Sequence, residues 1–139
     1  MNQKGFSLIE LLIALVIFAI GILATAQMQF SSMWTNTKAG IITEGAIVAQ
    51  TKIEQLLTLG YDAAALTDGD ADGAGGLDDT TAITADGNEI AANPSYTIFW
   101  NIQNDQPYTD TKTIRVIVRW AEKGVEREYS VDFVKTRGA

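Results

Sequence analysis

Cysteine and histidine are both absent from this chain. Their absence excludes disulfides, thiol chemistry and zinc sites built on those residues. It also removes the commonest general base and nucleophiles. No phosphate-binding glycine loop and no pair of carboxylates on firm elements takes their place, so an enzyme is not expected. The globular part must hold together by packing alone. Positive charge is scarce as well. Ten Lys and Arg face 17 Asp and Glu, for a net charge of −7. That acidity argues against general electrostatic attraction to nucleic acid. Charge of either sign is missing from residues 11–37.

What is present is an apolar run over residues 5–24, with Glu10 as its only charge. A helix of about 20 apolar residues spans ~30 Å of hydrocarbon. A carboxylate near the end of such a segment is costly without a partner. The run starts too early for an ordinary signal peptide, whose apolar core follows a longer basic region. A buried core helix fits poorly, because the remaining chain is too small to wrap it. The length of 139 residues leaves room for one soluble domain plus this anchor.

The stretch Lys4-Gly5-Phe6-Ser7-Leu8-Ile9-Glu10, with the apolar run that follows, resembles the class III signal of type IV pilin-like proteins. The resemblance implies cleavage between Gly5 and Phe6 by a prepilin peptidase, which then N-methylates Phe6. It implies that Glu10 meets the free amine of a neighbouring subunit. Losing Lys4 with the leader would take the net charge to −8. Major pilins usually carry a proline near the position of Gln27. This chain has none there, which suits a minor pilin or a pseudopilin. Lys4 marks the cytoplasmic side under the positive-inside rule. The domain would then be periplasmic, on a single pass through the inner membrane, and would enter an extracellular pilus or a periplasmic pseudopilus.

Residues 6–59 read as one helix of roughly 80 Å. Its first half is apolar all round. In its second half Ile42, Ala46, Ala49, Ile53, Leu56 and Leu57 form a helical stripe, with Thr43, Glu44, Gln50, Lys52 and Glu54 largely off it. Gly60 is the expected C-cap. Gly21, Gly40 and Gly45 interrupt the helix. They serve either local bending or close packing against another helix.

Residues 61–94 read as a variable loop rich in Asp and Gly. Asp68, Asp70 and Asp72 alternate, Gly73 follows, and Asp79 stands twelfth counting from Asp68. This spacing resembles an EF-hand calcium loop. Gly75 stands where an apolar residue is usual, and a flexible acidic surface loop is the alternative. Ile83 and Ile90 are expected to anchor a short strand pair across Asp86-Gly87-Asn88.

Residues 95–134 read as sheet. Tyr96, Ile98, Trp100 and Ile102 alternate with wetter positions. So do Ile114, Val116, Val118 and Trp120, and then Tyr129, Val131 and Phe133. A three-stranded meander is expected, with Trp100 and Trp120 in its core and a short hairpin connection at residues 121–124. Arg115 and Arg119 share the other face. They either meet an acidic partner or a DNA backbone, or simply lie solvated.

The chain as a whole is α+β. A long N-terminal helix crosses the membrane with its first half, and an antiparallel sheet covers its second half. The expected division is a leader at 1–5, a membrane or filament-core half at 6–30 and a globular domain at 31–139. This is the pilin layout, and within it Tyr96-Thr97-Ile98-Phe99-Trp100 and Ile114-Arg115-Val116-Ile117-Val118-Arg119-Trp120 resemble the minor pilins of the type IV pilus modification (PilV) group and minor pseudopilin I of type II secretion. The resemblance implies a structural subunit of a filament. Its partners would be prepilin peptidase/methyltransferase, other major and minor pilins or pseudopilins, the inner-membrane assembly platform, and membrane lipid before assembly. A pilus-tip adhesin or DNA-binding module is a further reading.

Overall fold

The helical pattern folds as α1, Leu8–Thr58. The computed structural model describes residues 5, 7–69 and 73–138, without the side chains of residues 73–75. Two short 3₁₀ turns follow α1, at Ala64–Leu66 and Gly73–Asp78. Four strands complete the chain: β1 (Gly87–Ile90), β2 (Tyr96–Asn104), β3 (Thr111–Glu122) and β4 (Val125–Thr136). They form one antiparallel sheet in the order β1-β2-β3-β4.

The chain divides into two compact units, Met1–Gly40 and Ile41–Ala139. In the first, every large apolar side chain from Leu8 to Trp34 is exposed. Among the described residues α1 is the one helix long and apolar enough to cross a membrane.

The second unit is built on period two. Ile98 pairs with Val118, Trp100 with Val116 and Ile102 with Ile114. Their side chains share one face and are buried, together with Tyr96 and Trp120. Ala49 and Leu56 of α1 and Leu66 of the first 3₁₀ turn close this core. Burying Leu56 or Leu66 is worth roughly 1.5–3 kcal/mol each. The alternation continues on β4, where Tyr129 and Phe133 are half-buried against the same core.

The helix presents a stripe rotated from the expected one. Gly45, Ala49, Lys52 and Leu56 are its buried residues. Ile42 and Leu57 are 41% and 47% exposed. Lys52 enters the stripe because its stem packs inward while Nζ lies 3.8 Å over the Trp100 ring and 2.9 Å from Glu89. Gly45 serves packing: a Cβ there would stand 3.2 Å from the Trp120 ring. Gly60 does not cap the helix through a left-handed conformation. Instead Lys135 Nζ donates to the Leu57 carbonyl at 2.8 Å, satisfying an end group that a C-cap would otherwise serve.

The expected pairing of Ile83 with Ile90 does not form. Thr81 Oγ1 accepts from the Thr84 amide and its carbonyl accepts from the Ala85 amide, so residues 81–85 turn. Ile83 is exposed, and Ile90 pairs with Thr97 to give a fourth strand. That strand lies close on β2, since a Cβ on Gly87 would fall 2.1 Å from the Trp100 indole. Lys123 and Gly124 both take positive φ between β3 and β4, the requirement of a two-residue type I′ hairpin.

Candidate functional site

Leu8 begins α1, and Ser7 precedes it in the cap position. The Ser7 carbonyl accepts the Glu10 amide at 3.0 Å and the Leu11 amide at 3.2 Å. Glu10 therefore sits in the first helical turn, where the helix dipole favours a carboxylate. Its side chain is exposed, and no ion pair with it occurs among the described residues. Gly5 is exposed, with open space around its Cα. Phe6 lies outside the described residues.

The carboxylates of the acidic loop are divided. Asp70 and Asp72 lie outside the described residues. Asp68 Oδ1 is shielded from solvent without a hydrogen-bond partner among the described residues. The Asp79 carbonyl accepts from Asn101 at 2.8 Å. No group of three acids among the described residues stands close enough to hold a metal ion.

The second half of this loop is fastened to the outer face of the sheet. Asn101 is buried in the middle of β2. Its Nδ2 donates to the Leu77 and Asp79 carbonyls, and its Oδ1 accepts the Asp86 amide. Asp86 in turn accepts the Ile102 amide at 2.7 Å. Arg115 binds Asp132 through two hydrogen bonds and Asp78 through a third. Arg119 donates to the Thr80 carbonyl at 3.1 Å and pairs with Glu126 at 3.0 Å. Both arginines are thus engaged inside the chain, rather than displayed to a polyanion. The Asp132 hydrogen bonds raise the Arg115 pKa, and Arg115 holds the Asp132 carboxyl below its usual range.

Sequence reasoning passed over Asn101, Lys112 and Lys135. Lys112 Nζ donates to the Tyr61 and Leu66 carbonyls, and burial lowers its pKa. The available signal was a polar residue inside an apolar strand, as in Trp100-Asn101-Ile102. Tyr96, assigned only to the core, also donates from its hydroxyl to the Ile41 carbonyl or Glu44 carboxylate, each at 3.1 Å. Burial, and then Glu44, raise its pKa.

Residues 1–26 match the prokaryotic N-terminal methylation motif. No curated protein and no solved structure matches the chain. The motif implies processing by a prepilin peptidase/methyltransferase. A prepilin-like N-terminus on a long apolar helix, with a C-terminal antiparallel sheet packed on the helix's second half, supports a role in type IV pilus or pseudopilus biogenesis.

Proposed function

We propose that the chain is a minor structural subunit of a type IV pilus, acting in its assembly or initiation. Residues 1–5 are the leader, removed by cleavage after Gly5. Residues 6–30 anchor the subunit in the inner membrane and later in the filament core. Residues 31–139 form the periplasmic domain.

The observation that carries this reading is Glu10. It stands in the first turn of α1, whose exposed apolar first half carries no other charge before Lys38, and it has no ion-pair partner among the described residues. In lipid such a carboxylate is costly. Cleavage creates an ammonium at Phe6, four residues before Glu10 in the chain. Pairing that amine with Glu10 of an adjacent subunit lowers the cost of both charges and sets axial register. The exposed side chains from Leu8 to Leu23 then pack against neighbouring helices.

Glu10→Ala in the native host tests this. The variant should remain in the membrane and be depleted from sheared pili. Undiminished incorporation would refute the role of Glu10. A deletion strain with normal piliation and twitching but lost protein secretion would move the assignment to a type II pseudopilin.

A further inference from the structure

We propose that Phe30, Met33 and Trp34 seat α1 in the lipid headgroup layer on the side of the membrane opposite Glu10, with Trp34 at the hydrocarbon boundary and Lys38 among the phosphates. The inference rests on the membrane-anchor reading of residues 6–30 and adds the depth at which the helix leaves the lipid.

Length is the first argument. Glu10 and Lys38 are successive charges of α1, with none between them. At 1.5 Å per residue, Lys38 lies about 42 Å along the axis from Glu10, and Trp34 about 36 Å. The hydrocarbon core takes ~30 Å, and the core with both headgroup layers about 40–45 Å. In an upright helix the two charges therefore fall at opposite faces of one bilayer. Trp34, one turn before Lys38, falls where hydrocarbon gives way to headgroups.

Composition changes at the same depth. Every side chain in residues 11–24 is apolar. Beyond them the helix becomes two-faced. Ala26, Phe30, Met33 and Trp34 recur at helical spacing on one face, while Ser31, Ser32, Thr35 and Asn36 fall on the other. Phe30 is 65% exposed and Trp34 56% exposed. With Met33 and Thr37 they line a shallow groove of about 270 Å³. The hydroxyls of Thr25, Thr35 and Thr37 donate to the carbonyls of Ile22, Ser31 and Met33, so they need no water.

The chemistry of this face selects lipid as the occupant. It continues without a break from the exposed Ile22 and Leu23 of the span, so the medium that covers them reaches it too. An indole suits the boundary because its ring is apolar and its N–H can donate to a headgroup oxygen. Lys38 is exposed one turn further on, where its stem can lie along apolar surface and its ammonium meet a phosphate.

The test uses the full chain in phosphatidylcholine–phosphatidylglycerol vesicles. The acyl chains are brominated either next to the headgroup or near the chain end. Flotation with the vesicles establishes insertion. The Trp34 signal is the fluorescence that Trp34→Phe removes. Bromine next to the headgroup should quench it about twofold more than bromine near the chain end. Phe30→Trp/Trp34→Phe exchanges two exposed positions and moves the indole about 6 Å inward, so quenching should shift toward the chain-end bromine. Protein that does not float would overturn the anchor reading and this proposal with it. In protein that does float, three results would overturn the seat alone: Trp34 quenched chiefly from the chain end, Trp34 quenched by neither lipid because a second copy covers it, or the same profile for both indole positions.

Discussion

Arg115 grips Asp132 on the neighbouring strand with hydrogen bonds of 2.6 and 2.7 Å, and the same guanidinium holds Asp78 of the loop. One side chain thus ties β3, β4 and the acidic segment together. Arg115 lowers the Asp132 pKa from its ordinary 3.8. A lowered carboxylate pKa means that the unfolded state binds more protons at acid pH. The stabilisation is therefore present above pH 3.8 and is lost as pH falls through the folded value. Urea unfolding measured from pH 6 downwards should show a shallower acid limb in Asp132→Asn than in the parent. Identical limbs would remove Asp132 from the account.

Asn101→Leu tests the fastening of the loop. The substitution leaves the Leu77 and Asp79 carbonyls and the Asp86 amide without their partner. Each group is part-buried, so its loss costs up to about 1–3 kcal/mol. Amide exchange over residues 76–86 should accelerate more than exchange in β3. Uniform acceleration would mean that Asn101 supports the whole sheet rather than the loop.

Gly87 and Gly45 should respond differently to alanine. A Cβ at Gly87 overlaps the Trp100 indole at 2.1 Å, so Gly87→Ala should destabilise by roughly 1–3 kcal/mol through overpacking. At Gly45 the nearest ring atom is 3.2 Å away, and alanine also gains about 1 kcal/mol of helix propensity. Gly45→Ala should therefore fall closer to neutral. Thermal melts of both variants check the ranking, and a reversal would contradict the packing described.

The EF-hand-like spacing of Asp68, Asp70, Asp72 and Asp79 sets calcium binding, as an expectation, against a plain acidic surface loop. Titration calorimetry of the full chain should give saturable heat that Asp70→Asn/Asp72→Asn abolishes. Equal heats from parent and variant, or none from either, would reject the site.

The parts of the fold visible in the sequence are those where one residue property repeats. Alternation placed Ile98, Trp100, Val116 and Val118 on one buried face, and the uncharged run marked the exposed apolar first half of α1. The helix stripe was displaced because hydrophobicity does not report Lys52, whose charge is met by Trp100 and Glu89. β1 was misread because its four residues pair with a strand ten residues on, rather than across the adjacent turn. The roles of Lys112 and Lys135 depend on carbonyls 46 to 78 residues away, which no local pattern encodes. At the N-terminus the position of Glu10 was legible because it departs from an otherwise uniform run.

Processing of that N-terminus is the claim on which the account turns. Intact-mass and N-terminal fragment analysis of the protein, purified from the membrane of its native host, tests it most directly. The account predicts a mature chain that begins at N-methylated Phe6. A chain that still begins at Met1, or one that begins at unmodified Phe6, would contradict it.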